Sequence, residues 1–292
     1  MRWRTYLSKS PALKKSLCTT TAGDRMNIFR YEFKTYIKSI LIWALSIGAL
    51  TTMFMGFYPG FAQDTQALEK IMEYYPEELL QAFGMSTGLP LSTVLGFFVF
   101  TFAFVQLCLA IQASNYGFSM LSVEERELTA DFLMSKPVSR RKIFTAKICA
   151  ALLALLITNA ATWGASYFSL EAFNDGNAYA WDKVVVLLST NVVFQLFFLS
   201  VGMLISVLTK KIRSVLSYSM GLSFGMYMLN ALSSIIDSDL LGLISPFYHF
   251  DPGAILESGE IDGLLLGISI GVVGISLVAT YILYNRRNIH SL

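Results

Sequence analysis

Six stretches of this chain each run for more than twenty residues without an Asp, Glu, Lys, Arg or His. A hydrocarbon core of about 30 Å is crossed by about 20 apolar residues in a helix. Lipid offers no partner for an open backbone, so each stretch must be helical. Barrel strands would be about 10 residues long and would alternate in polarity, and these stretches do neither. Only 14% of the residues are charged, against about 25% in soluble domains. The fold class is therefore an all-α integral membrane protein with six transmembrane helices. The spans are read as Ser39–Gln63, about Leu91–Asn115, Ile148–Leu170, Val184–Thr209, Ser214–Ile236 and Gly263–Asn285.

Charge between the spans sets the orientation. With the N-terminus inside, residues 1–38, 116–147, 210–213 and 286–292 hold 20 of the 22 Lys/Arg. Only Lys70 and Lys183 fall outside, while 14 of the 20 acids do. Loops rich in Lys and Arg stay in the cytoplasm, so both termini are expected inside, in a bacterial cytoplasmic membrane. The outside loops are about 59–90, 171–183 and 237–262. Thr65–Phe83 has helix-forming composition with an acidic face. Residues 237–262 carry Pro246 and Pro252 and apolar parts that could dip into the outer leaflet.

Residues 1–25 are basic, lack the apolar core of a secretory signal, and read as a disordered leader or a start-site extension. A single six-helix domain then spans 26–292. From Met26 the chain is amphipathic. Phe29, Phe33, Tyr36, Ile37 and Ile40 share one helical face, while Arg30, Lys34 and Lys38 repeat on another. This is either a helix in the headgroup layer or a basic flank of the first span.

Sites inside the spans are few. Charge at membrane depth costs at least about 2.5–3.5 kcal/mol and is kept for function. Its absence here argues against a proton-driven carrier. Gly221-Leu222-Ser223-Phe224-Gly225 matches G-x-S-x-G, but that motif needs a strand-to-helix turn and a His base. Small residues recur every four positions at Ser217, Gly221 and Gly225, and at Gly263, Gly267 and Gly271. That spacing brings helices close, within the subunit or across a dimer. Gln106, Asn159, Asn191, Gln195 and Asn230 are uncharged polar residues suited to interhelical hydrogen bonds. Phe102, Gln106 and Asn230 are the candidates for a substrate path. No catalytic or metal-ligating set is expected, and Cys18, Cys108 and Cys149 lack metal spacing. There is no G-x-x-x-x-G-K-[ST] loop, and a net charge of +2 gives no argument for nucleic acid.

The exception to this apolar pattern is Leu121–Lys147, with ten of the chain's 42 charged residues. Ser122 and Glu125 fit a capping box, so a helix is expected to start at Ser122. Glu124, Glu125 and Glu127 suit its dipole. Leu128 and Phe132 share one face and Asp131 lies on another. Pro137 ends the helix, and Arg140, Arg141 and Lys142 anchor the next span. As a bare pattern this is a docking element or a solvated connector.

At these residues the chain resembles the type-2 permease family of ATP-binding-cassette (ABC) exporters. The resemblance rests on Glu125-Arg126-Glu127, Thr129, Phe132-Leu133 and Ser135-Lys136-Pro137-Val138-Ser139-Arg140. It also rests on Ser245-Pro246-Phe247-Tyr248 and Arg286-Arg287-Asn288-Ile289, and it covers about residues 26–289. Leu128 stands where the family usually has Gly. The resemblance implies a half-transporter that pairs with a second permease subunit and with separate ATP-binding subunits. ATP and Mg would be on those partners, with no cofactor on this chain. Glu124, Glu125, Arg126, Glu127, Leu128, Asp131 and Phe132 would then form the coupling helix. Phe29, Arg30, Phe33, Lys34 and Ile37 would form the elbow helix. Hydrophobic or amphipathic cargo, such as a drug, a peptide antibiotic or a lipid-like molecule, is the expected substrate class. An ion-driven carrier and a non-transporting immunity or sensor protein are the alternatives.

Overall fold

The computed structural model describes residues 11–63, 74, 88–126, 140–209, 212–236 and 238–286; side chains are described over 29–62, 74, 88–120, 141–209, 212–236 and 238–284. Every element described is helical: α1 Pro11–Met55, α2 Tyr58–Gln63, α3 Val94–Arg126, α4 Arg140–Phe173, α5 Trp181–Leu208, α6 Val215–Ile236, α7 Asp239–Gly242, α8 Pro246–His249, α9 Pro252–Ser258 and α10 Gly263–Arg286. Six of them, α1, α3, α4, α5, α6 and α10, are long and apolar enough to cross a membrane. The start of the first span, the ends of α3 and α5, the starts of α4 and α6 and the end of α10 share one face, where Glu32, Met120 and Lys147 meet and Phe144 packs on Tyr284. This is called the basic face, after the Lys/Arg count, and the opposite end the acidic face.

Helix starts follow local chemistry. Thr93 Oγ1 accepts from Gly96 N–H at 3.1 Å and donates to the Pro90 carbonyl at 2.7 Å, opening α3. Asp262 caps α10 through Leu264 N–H at 2.8 Å. Ser245 and Asp251 cap α8 and α9, each followed by Pro at the first helical position, where its missing N–H costs nothing. Gly259 ends α9 with φ 79°, a left-handed cap that glycine adopts without steric penalty.

The core is the crossing of α3 and α5. Spans α1 and α4 pack together on one side of it, α6 packs against α3, and α10 against α5. The approach is close because both helices present glycine. A Cβ on Gly117 would overlap the Leu199 carbonyl oxygen and lie 3.0 Å from Met203 N and 3.2 Å from Gly202 Cα. The short helices α7 to α9 fold back into the acidic end of the bundle. Phe247, Phe250, Ile255 and Leu256 are buried there, with Phe194 ringed by Phe198, Phe247 and Phe250 at 5.1–6.2 Å. The apolar part of 237–262 thus plugs the bundle itself.

Two expected helix boundaries are corrected. Of the two readings of residues 26–38, a separate headgroup-layer helix gives way to a flank of the first span, since α1 runs unbroken through both and begins at Pro11, inside the stretch read as a leader. Neither Gly nor Pro lies between Met26 and Ile47, so nothing interrupts the hydrogen-bond ladder. A helix was also expected to begin at Ser122, yet α3 continues through Ser122 to Arg126. A cap needs extended backbone at the capping residue, and the apolar run before Ser122 keeps it helical. At 33 residues and 1.5 Å per residue, α3 is about 50 Å long. It overhangs a core of about 30 Å, and the overhang carries the start of the charged loop.

Candidate functional site

The charged loop is held at its root by one lysine. Lys147, on α4, is 2% exposed. Its ammonium donates to the Met120 carbonyl of α3 at 2.9 Å and lies 3.8 Å from the Glu32 carboxylate of α1. A buried ammonium is tolerated only where such partners replace water. Met120 and Lys147 bracket loop residues 121–146, so this contact closes the loop's base. The sequence reads Lys147 only as the last residue of the charged stretch Leu121–Lys147. Its burial was not legible there, although Glu32 is the only acid between Met26 and Lys38.

From this foot a line of polar side chains climbs into the bundle. One turn above Glu32, the Tyr36 ring packs at 4.6 Å against Tyr116 of α3, the two planes tilted by 58°. The Tyr116 hydroxyl donates to Ser39 Oγ at 3.1 Å and accepts from Gln112 Nε2 at 3.2 Å. Gln112 Nε2 also donates to Thr158 Oγ1 of α4 at 2.8 Å. Gln195 Nε2 of α5 reaches Gln112 Oε1 at 3.5 Å, and Asn159 Nδ2 donates to Gln195 Oε1 at 2.5 Å. Four spans are thereby joined by uncharged hydrogen bonds. Each is worth about 0.6 kcal/mol in a membrane, with a ceiling of about 1.7. The Asn159 and Gln195 expected to make interhelical hydrogen bonds do so with each other. Asn191, on the same face of α5, is fully buried with neither amide atom paired.

The other sequence-derived residues fall as follows. On α1, Phe29 and Phe33 are half-buried and stack at 6.1 Å. Arg30 and Lys34 are exposed, and so is Ile37, at the edge of the apolar face. Arg126, Glu124 and Glu125 belong to the helical backbone of α3, and their side chains lie outside the described residues. Glu127, Leu128, Asp131 and Phe132 lie outside them altogether, as does the stretch Thr65–Phe83 apart from Tyr74. Phe102 is fully buried and packs on Phe98 at 5.4 Å. Gln106 donates to the Phe250 carbonyl at 2.7 Å, pinning the plug to α3. Neither lines an open path in this conformation. Asn230 is half-buried on α6, its carbonyl taken by Ser233 and Ser234.

Of the two readings of the small-residue stripes, contacts within the subunit or across a dimer, the first is not seen among the described residues. A Cβ on Gly221, Gly225, Gly263, Gly267 or Gly271 would meet no atom of the chain within 4 Å. All five glycines are exposed, since α6 and α10 are peripheral spans. The close helix contact lies instead at Gly117 and Gly202. Ser217 and Gly221 help Phe118, Ile205, Tyr218 and Leu222 line an open apolar groove of about 360 Å³ between α3, α5 and α6.

At the acidic face the plug is tied to both neighbouring spans. His249 is buried, with Nδ1 2.7 Å from Ser269 Oγ of α10 and Nε2 3.0 Å from the Leu243 carbonyl. Burial holds its pKa below the ordinary value, partly offset by the Leu243 hydrogen bond. Burial pushes the Asp251 carboxyl up, against the backbone N–H groups of Ala254 and Gly253 that stabilise its charge. Lys183, one of the two basic residues on this side, donates to the Glu257 carbonyl at the end of α9. No group of three or more His, Cys, Asp or Glu able to hold a metal occurs among the described residues.

The comparisons with known proteins agree with the architecture. Residues 26–289 match the profile of the family described as ABC-2 family transporter protein. The match begins at Met26, the residue at which the sequence reading starts the membrane domain. No curated protein matches the chain.

Proposed function

The chain belongs to the ABC-2 transporter family, and from that premise we propose that it exports a hydrophobic or amphipathic molecule using ATP hydrolysed on a separate subunit. The coarser part of this reading, a multi-pass permease subunit of an ABC transporter, is what the family is. The observation that carries the finer part is the charged loop rooted at Lys147, set beneath spans that hold no ionisable group of their own. With no charge at membrane depth to couple to an ion gradient, energy has to enter at the ends of the spans. The basic face offers a loop with four acids, Glu124, Glu125, Glu127 and Asp131, beside the apolar Leu128 and Phe132. Acidic and apolar groups in alternation suit a cleft on a soluble motor subunit.

In this account the basic face is cytoplasmic, since it holds 20 of the 22 Lys/Arg. ATP binding draws two motor subunits together beneath two permease chains. The loop moves with them, the spans tilt, and cargo leaves past the plug of α7 to α9. The chain supplies the path and the docking element, and the partner supplies ATP, Mg and the hydrolytic chemistry. The test is the double substitution Glu125→Ala with Leu128→Asp in the assembled complex. ATP-dependent export falls to background while the protein still inserts in the membrane. Unchanged export would remove the loop from the coupling pathway and the proposal with it.

A further inference from the structure

We propose that Lys147 is the positioning residue that carries the motion of the charged loop into α1. The inference rests on the motor-docking reading given above and names the group that transmits its stroke. A buried ammonium at the edge of charge-free spans is retained only with partners that compensate it. Those partners lie on two different helices. Met120, whose carbonyl accepts at 2.9 Å, belongs to α3, the arm leading into the loop. Lys147 itself belongs to α4, the arm returning from it. Glu32, 3.8 Å away, belongs to α1. One side chain thus ties both arms of the loop to a third span.

The geometry beyond the lysine gives the motion somewhere to go. Tyr36 sits one turn above Glu32 and meets both the Tyr116 ring at 4.6 Å and the Ser119 side chain. Tyr116 then hands on to Ser39 and to Gln112, and Gln112 to α4 and α5. A displacement of the Lys147 ammonium therefore shifts Glu32 and the aromatic pair on it. A headgroup anchor, the role the sequence gives Arg140, Arg141 and Lys142, would leave Lys147 exposed at the interface. Its 2% exposure does not fit that role.

The experiment uses the complete complex with its ATP-binding subunits in lipid nanodiscs. Spin labels are placed through Tyr31→Cys and Arg213→Cys in a chain whose native cysteines are replaced. Both sites are exposed, on α1 and next to α6 at the basic face. The distance between the labels is measured with and without ATP plus vanadate. In the parent chain the nucleotide changes this distance. In Lys147→Met the motor stays bound and hydrolyses ATP, but the change shrinks about tenfold. Lys147→Arg, which keeps the charge, restores it. A full-sized change in Lys147→Met overturns the proposal. Should that variant fail to fold, Glu32→Gln gives the same readout with the lysine in place, and a full-sized change there overturns it equally. A parent complex with no ATP-binding subunit would instead overturn the motor-docking reading, a result distinct from an uncoupled lysine.

Discussion

The α3–α5 crossing and the outward faces of α6 and α10 are both built on glycine, and they use it in opposite ways. In α3 and α5, 61% of the most apolar window is buried within the chain, against 17% in α6 and 22% in α10. At Gly117 the missing side chain is filled by the backbone of α5. At Gly221, Gly225, Gly263, Gly267 and Gly271 it is filled by nothing among the described residues. Glycine spacing in a span therefore does not say which surface it serves. The regular G-x-x-x-G stripes mark surfaces left to lipid or to another subunit. A close contact between spans depends instead on two glycines 85 positions apart in sequence, Gly117 and Gly202.

That contrast is easiest to break at the crossing. Gly117→Val places a branched side chain where even a Cβ overlaps the Leu199 carbonyl, and α5 has no side-chain end there to give way. Overpacking of this kind costs about 3 kcal/mol or more, expected as a large loss of folded protein and of thermal stability in detergent. Near-normal stability would show that the two helices are not locked at this point.

A smaller effect is expected at the plug, which links the buried pair to the peripheral α10 through His249 and Ser269. A histidine held below its ordinary pKa binds its proton less readily in the folded state. The stability it supports is full above its unfolded pKa and falls as the pH drops toward its lowered folded value. Asp251 works in the opposite sense, because its raised carboxyl is relieved by acidification. Asp239, against Tyr248, and Asp262 complete the ionisable groups nearby. Comparison with His249→Gln isolates the histidine. Between roughly pH 7 and 5 the parent chain loses more thermal stability than the variant. Parallel curves would mean that the imidazole does not titrate in this range.

The smallest effect is expected on the outward stripes. Gly221→Val changes the stability of the isolated subunit by no more than about 0.5 kcal/mol, measured by thermal unfolding. A loss matching that of Gly117→Val would erase the distinction between the two regions. A change in the mass of the detergent-solubilised complex, with subunit stability intact, would sharpen it by making α6 a contact between subunits.

Much of this arrangement was legible in the sequence. Charge-free stretches located all six spans, because length and polarity alone decide what a bilayer accepts. The apolar face of residues 29–40 was also visible, since 3.6-residue periodicity is local. What escaped notice depends on distant partners. The burial of Lys147 requires Glu32, 115 positions away in sequence, and Gln106 is occupied by the Phe250 carbonyl. Ser122 carried a real capping signal, but helix continuity from Val94 outweighed it. The sequence left α1 open between two readings for a related reason, as a change from amphipathic to apolar composition neither requires nor forbids a break in the helix.

The central claim is that the charged loop rooted at Lys147 seats in a soluble ATP-hydrolysing subunit. A photo-reactive amino acid placed at Leu128 in otherwise native membranes tests it most directly. Illumination should link the chain to a nucleotide-binding subunit, with a yield that changes when ATP and vanadate are added. A loop that labels only lipid or water, while the chain remains folded and inserted, would contradict it.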